Sequence, residues 1–436
     1  MRKTFVWILA ALMVLAALPA AAQPVHLTLW HSMSEDAGLL LDSLIAEFNA
    51  TAGKEAGIEV ESVFQGQYSE AVNKMNSILV AGQTDTLPDV MQLDATGKVP
   101  YASAETAYTA EAAMRDHPET DMSKMLAPAM ANWSLSGTQL GFPFATSTTV
   151  LYYNQTLLDA AGASAPATLA DIGALAGRLP EKTADGLDVT VYAHVPNTPT
   201  LCNWLGQMGS DLVNQHNGTE GTATALACMD NGALVSFLTE WKALYATGAL
   251  ADTAGSTDAF VAGQQAVMTG STSNIASVLE KVGDRFELGV APYPRVNDAA
   301  GSGATVSGSC LAMFDHGEER RQAAWTLVCW LTSAEIQARF AGGTGYLPAN
   351  GDSVDSDAWK QLVAEHPQYQ VGLDQLMQTP ETMRSVTVGP SADFYYAIMN
   401  DISDMLEQDL SPEETADILQ EDLEGLLTQY ARANAQ

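Results

Sequence analysis

Gly141-Phe142-Pro143-Phe144-Ala145-Thr146-Ser147-Thr148-Thr149-Val150-Leu151-Tyr152-Tyr153-Asn154 is the stretch around which the rest of this 436-residue chain is organised. A Gly-Phe-Pro-Phe turn leads into four small hydroxyl residues. Val150 to Tyr153 then form a β-type run, and Asn154 opens a helix. Hydroxyls and backbone N–H groups thus collect where the chain passes between two long blocks. Such a crossover suits a small polar or anionic ligand, and it also reads simply as a Thr-rich edge strand.

Upstream, residues 25–30 alternate as a half-buried strand, and a helix with Leu39, Leu40, Leu41, Leu44, Ile45 and Phe48 at helical spacing follows. A second strand at 57–63 and a helix carrying Ala71, Val72, Met75, Ile78 and Leu79 precede a third strand at 88–94. The order β-α-β-α-β predicts an α/β fold with a mainly parallel sheet flanked by helices. Ligands of such sheets sit beyond the carboxyl ends of strands. Trp30-His31-Ser32, residues 65–68 with Tyr68, and Leu93-Asp94 all fall at such ends. Each also has a structural reading: a packing tyrosine, a turn histidine, an aspartate capping a helix.

Downstream the α/β pattern restarts. Thr168-Leu169-Ala170-Asp171 resembles a capping box. A strand is expected at 189–195, a long helix at 223–245, a short strand at 266–268, and further strands at 286–291 and 305–313. The Thr269-Gly270-Ser271-Thr272-Ser273-Asn274 loop opens a helix; it is either an anion site or an ordinary hydroxyl cap. Gly308 stands in a strand, where a backbone approaches something closely. Gly345-Tyr346-Leu347-Pro348 presents one tyrosine from a tight loop. The last hundred residues read as helices. Two α/β blocks joined by more than one crossing predict a bilobal protein with a cleft.

Arg2-Lys3, an apolar run at 5–18, Pro19 and Ala20-Ala21-Ala22 form an export signal with cleavage expected after Ala22, giving a periplasmic protein. A net charge of -33 argues against nucleic acid and anionic membranes as partners and suits a solvated surface. Of the four cysteines, Cys202 and Cys228 are the better candidate disulfide; Cys310 and Cys329 read equally well as buried thiols. No zinc, redox, nucleophile-elbow, P-loop or calcium motif is found, and no acid pair stands out. No catalytic residue, cofactor or metal is assigned. Binding-type tips without a catalytic set favour capture over catalysis; an exported hydrolase is the rival from another class.

The sequence resembles the extracytoplasmic solute-binding proteins of ABC transporters, in the group that includes maltose-binding proteins, and within it most closely the glycerol-3-phosphate receptors. The resemblance rests on Leu29-Trp30-His31-Ser32-Met33, Gly66-x-Tyr68, Val90-Met91-Gln92-Leu93-Asp94, residues 143–154, Thr269-Gly270-Ser271, Ser307-Gly308 and residues 344–348, in family order along nearly the whole chain. It implies a two-lobed fold, each lobe a central mainly parallel sheet with helices, and a ligand cleft at the hinge. It implies lobes of 23–146 plus 308–350 and 147–307 plus 351–436. It further implies a monomer that captures a glycerol-3-phosphate-like or glycerophosphodiester ligand and delivers it to permease subunits driven by a separate ATPase; a sugar or oligosaccharide is the alternative ligand.

By the same resemblance, Tyr68, Ser147, Ser271, the backbone N–H of Gly308 and Tyr346 hold a phosphate, and Asp94, where the family has a glutamate, accepts from polyol hydroxyls. Two departures matter. The family's Arg-Gly-Leu-Arg-Leu-Gly reads here Arg384-Ser385-Val386-Thr387-Val388-Gly389, so Thr387 replaces the second arginine and Arg384 remains, as a cleft residue or a surface charge. The tryptophan expected near 195–198 is missing. Both changes leave more room and less positive charge.

Overall fold

The computed structural model describes residues 23–433, apart from Ala184 and Asp252. The export signal and its cleavage point therefore lie outside the described residues. The alternating strand at the start forms as Val25–His31, and it pairs in parallel with Ile58–Phe64 on one side and Val90–Leu93 on the other. Glu35–Ala50 turns Leu41, Leu44, Ile45 and Phe48 onto this sheet. Full burial of each such side chain contributes about 1.5–3 kcal/mol.

The late strand Ser307–Phe314 returns to this same sheet, antiparallel to Val90–Leu93, and Phe142–Ser147 pairs antiparallel with it in turn. One core gathers Leu29, Phe48, Phe144, Leu311, Trp325 and Phe340 on one side of the sheet. Another gathers Trp30, Met91, Trp133 and Cys310.

The second sheet differs from the expectation of parallel strands. Thr149–Asn154 lies at its centre, with Val267–Ser271 and Leu288–Ala291 antiparallel on either side. The strands at its edges come from distant sequence, so their direction is set by long-range pairing. A large core of Trp204, Phe237, Trp241, Phe394 and Leu423 packs against one side of this block. A further core includes Tyr152, Phe260, Trp359 and Tyr369. The protein is therefore a two-lobed α/β structure whose two larger sheets are one mixed and one antiparallel.

Three other expectations change. The strand at 189–195 shrinks to Tyr192–Ala193, paired with Leu250–Ala251. The helix expected from 223 starts only at Ala233, because Gly232 takes a left-handed φ of 70° and Asn231 accepts from the Ala233 N–H at the helix start. Cys202 and Cys228 carry free thiols. Cys202 is packed within the core helix Thr198–Gln207, and Cys228 Sγ donates to the Leu212 carbonyl. Burial pushes both thiols up to about 12. The capping box at Thr168 forms as expected, with Asp171 returning to the Thr168 N–H.

A single residue, Thr148, separates Phe142–Ser147 in the first sheet from Thr149–Asn154 in the second. Its hydroxyl donates to the Ala304 carbonyl and accepts from Gln375 Nε2 at 3.0 Å, and the same amide donates to the Thr149 carbonyl at 2.7 Å. Thr272 N donates to the Thr148 carbonyl. Leu347 N donates to the Thr146 carbonyl at 2.7 Å. Segments around 148, 304 and 347 are thus tied together where the chain passes between lobes. The Thr148 hydroxyl and the Gln375 amide are buried and paired, as a buried crossing requires, while the Thr146 hydroxyl has no hydrogen-bond partner among the described residues.

Candidate functional site

The parallel strands place their carboxyl ends at one rim of the first sheet, and of the predicted side chains Tyr68, Asp94 and Tyr346 come together there. Gly66 has φ 80° and turns the chain so that Tyr68 opens the helix Tyr68–Ala81. Gln92, the one polar residue in Val90–Leu93, is buried and orients this tyrosine. Its Nε2 donates to Tyr68 Oη at 3.1 Å and to Ser309 Oγ at 2.8 Å, while its Oε1 accepts from Ser32 N at 2.9 Å. All the amide's roles but one lone pair are filled, so the side chain has a single orientation.

Tyr346 comes from the loop after Ala334–Thr344, with its ring stacked on Phe340 at 5.9 Å. Its hydroxyl lies within hydrogen-bonding reach of Tyr68 and of Ser273. Burial, then the neighbouring Tyr346, holds the Tyr68 phenol well above its ordinary range; burial raises Tyr346 likewise. Both hydroxyls therefore stay protonated and remain donors. Ser273 Oγ donates to Ser271 Oγ at 2.9 Å. A polar chain thus runs from Ser309 through Gln92, Tyr68 and Tyr346 to Ser273 and Ser271, from the first sheet to the second. It lies along a cavity of about 380 Å³ walled by Ser32, Met33, Tyr68, Ser273, Asn274 and Tyr346, among others.

Asp94 follows Leu93 at the strand end and accepts from Thr96 Oγ1 at 2.7 Å. Burial raises its carboxyl above the usual range, opposed by the Thr96 hydroxyl, the backbone N–H groups of Thr96 and Gly97, and Lys98. Its field reaches Tyr68, so the carboxylate and the tyrosine pair share one neighbourhood. This places a half-buried acceptor beside hydroxyl donors, which is what a polyol carrying an anionic group requires.

Ser147 is buried at the end of its strand, opposite Ser307, with Gly308 opposite Thr146. Gly308 has φ 101°, and a Cβ there would lie 1.8 Å from the Ala145 carbonyl oxygen. The glycine is thus required first by the neighbouring strand. Ser271 caps the short turn Thr272–Asn274, accepting from Ser273 N at 3.2 Å, so its hydroxyl serves the local cap. Arg384 is half-buried; Nε donates to the Glu381 carbonyl at 3.2 Å and Nη1 to Thr219 Oγ1 at 3.4 Å. Thr387 is buried, and its hydroxyl has no hydrogen-bond partner among the described residues. Gln92, Ser309 and Ser273 were not singled out from the sequence; a lone amide inside a buried apolar strand was the available signal for Gln92. A second cavity of about 890 Å³ opens between Ala95, Thr96 and Val99 on one side and Val386, Thr387 and Val388 on the other.

Two α/β lobes, a buried multiple crossing between them and a polar chain bridging the cleft define a binding protein of the two-lobed type. Residues 43–368 match the family described as bacterial extracellular solute-binding protein, and the chain belongs to that family. Members are non-enzymatic components of ABC importers that work with permease and ATPase subunits and bind small sugar or polyol ligands. The sn-glycerol-3-phosphate-binding periplasmic protein UgpB of Escherichia coli O1:K1 is 23% identical over 374 residues, 84% of this chain and 83% of that one. UgpB from Mycobacterium tuberculosis, solved in complex with glycerophosphocholine, superposes with a TM-score of 0.74 at 20% identity, covering 94% of this chain and 99% of that one. The sugar-binding protein MalE from Xanthomonas citri superposes at 0.77 with 19% identity, covering 94% and 100%.

Proposed function

We propose that this protein captures a glycerol-3-phosphate-like or glycerophosphodiester ligand between its lobes, outside the cytoplasmic membrane, and hands it to a permease. The observation that carries this reading is the juxtaposition of the half-buried Asp94 carboxylate with the Tyr68–Tyr346 hydroxyl pair, which itself reaches Ser273 in the turn Thr272–Asn274 that follows the second sheet's Val267–Ser271. Asp94 accepts from the polyol hydroxyls. Tyr68, Tyr346, Ser147, Ser271, the Gly308 N–H and Arg384 surround the phosphoryl group. Neutral donors fixed in advance solvate an anion without the reorganisation that water needs. The curated UgpB relatives bind sn-glycerol-3-phosphate by name, which supports the same ligand class.

The lobes are 23–146 with 308–350 and 147–307 with 351–436. Rotation at the Thr148 crossing closes them on the ligand, and the closed form docks on the permease as a monomer. Residues 1–22 direct export and are removed after Ala22.

A sugar ligand is the second reading. It is favoured by Thr387, which stands where an arginine would add positive charge, and by the superposition on a sugar-binding MalE. A thermal-shift screen of the mature protein separates the two, because a ligand raises the melting temperature through its affinity for the native state alone. A rise with glycerol-3-phosphate or glycerophosphodiesters and none with maltose or maltotriose supports the first reading; the reverse supports the second.

A further inference from the structure

The cavity of about 380 Å³ beside Tyr68 and Tyr346 has acids on two facing walls. On one side the helix Glu35–Ala50, packed on the first sheet, brings Glu35 and Asp36 to it from its first turn. On the other, the helix Ile275–Val282, which comes after the second sheet's Val267–Ser271, brings Glu280. Ala276, Ser277 and Glu280 share the face of that helix that lines the cavity, while Ile275, Val278 and Val282 are buried in the core behind it. No lysine, arginine or histidine is among the lining residues. All three acids are exposed, and none of their carboxylates has an ion pair or a hydrogen bond among the described residues.

Glu35 and Asp36 suit the positive end of their own helix. Glu280 does not: it stands in the last turn of Ile275–Val282, where the negative end of the helix disfavours a carboxylate. Helix stability therefore leaves Glu280 unexplained. A second observation lies on the same cavity wall. Ser32 is 7% exposed, its backbone N–H is held by Gln92 at 2.9 Å, and its hydroxyl has no hydrogen-bond partner among the described residues. A buried hydroxyl is ordinarily paired, so a fixed and unpaired one at a cavity is accounted for by a partner that arrives with the ligand.

We propose that Glu35, Asp36 and Glu280 form a subsite for a cationic group, and that the ligand is a glycerophosphodiester whose second alcohol carries an ammonium. This rests on the phosphoryl-polyol reading and selects within it. The phosphoryl group keeps its place at Tyr68 and Tyr346, and the glycerol hydroxyls keep theirs at Asp94, which is not among the residues lining this cavity. The second ester oxygen then faces the cavity, where the Ser32 hydroxyl donates to it, and the ammonium reaches the carboxylates beyond. Such a ligand carries no net charge, so it meets the acidic walls with its positive end. A phosphate monoester brings only negative charge to the same place and is disfavoured by them.

The test uses the full mature protein and isothermal titration with two diesters, glycerophosphoethanolamine, with an ammonium on its second alcohol, and glycerophosphoglycerol, with a hydroxyl there. The readout is the ratio of their dissociation constants. The wild type is expected to bind the ethanolamine diester about fivefold more tightly at low salt, the range of an exposed ion pair. The ratio should shrink toward one between about 0.01 M and about 1 M salt, as the screening length falls from about 30 Å to about 3 Å. It should shrink likewise in Glu280→Gln and in the double variant Glu35→Gln, Asp36→Asn, whereas Ser32→Ala should weaken both diesters alike and keep the ratio. If a variant does not fold, the wild-type ratio and its salt series decide. Equal affinity for the two diesters, or a preference that persists in both acid variants, overturns the cation subsite while leaving the cleft reading intact. A wild type that binds maltose and neither the diesters nor glycerol-3-phosphate overturns both.

Discussion

Gln92 donates to the Tyr68 hydroxyl at 3.1 Å, fixing the ring from beneath the cleft while its other end holds Ser32 N. The amide is buried within a strand whose other residues are apolar, and it bonds Tyr68, Ser32 and Ser309. Gln92→Leu removes both ends of that arrangement and leaves Ser32 N and Ser309 Oγ without this partner. The variant is expected to lose roughly 1–3 kcal/mol of stability by urea unfolding. It should also bind its ligand several-fold more weakly, because Tyr68 then samples other orientations. Unaltered affinity would show that Tyr68 is not held for binding.

Thr148 links the crossings at 148 and 304 through one hydroxyl. Thr148→Val keeps the shape and strands Gln375 Nε2 with one acceptor in place of two. Stability should fall by about 1–2 kcal/mol. Distances between dyes on the two lobes should broaden in the unliganded protein. A variant as stable and as narrowly distributed as the wild type would remove Thr148 from the crossing's mechanics.

Asp401 predicts a pH effect away from the cleft. Burial, then Asp422 and Asp404, raises its carboxyl to about 6, and one carboxylate oxygen has no hydrogen-bond partner among the described residues. The native state therefore holds this proton to higher pH than the unfolded chain, whose aspartates titrate near about 3.9. The sign follows: this group's contribution to stability falls as pH rises from about 4 to about 6 and stays lost at pH 7. The site is half open to solvent, which screens the effect, so Asp401→Asn should stabilise by about 1 kcal/mol at pH 7. That gain should disappear below about pH 4, as read from urea midpoints at the two pH values.

Much of the rim was legible because strand ends are local features. Alternation located the ends at His31, Phe64 and Leu93 closely enough to single out Tyr68 and Asp94, and glycines at 66 and 308 marked left-handed backbone. What was not legible depends on distant partners. The antiparallel second sheet is set by strands more than a hundred residues from Thr149–Asn154. The role of Thr148 is set by Ala304 and Gln375, which lie far along the chain. The paired reading of Cys202 and Cys228 failed because both side chains belong to the core.

The central claim is that the Tyr68–Tyr346–Asp94 rim, with Ser147 behind it, holds a phosphoryl polyol. Isothermal titration of sn-glycerol-3-phosphate into the wild type, Ser147→Ala and Tyr346→Phe tests it most directly. The account predicts one site per wild-type chain, a Kd raised about tenfold in each variant for a lost buried donor, and melting temperatures close to the wild type. Unchanged affinity in both variants, or no binding of any phosphoryl polyol to the wild type, would contradict it.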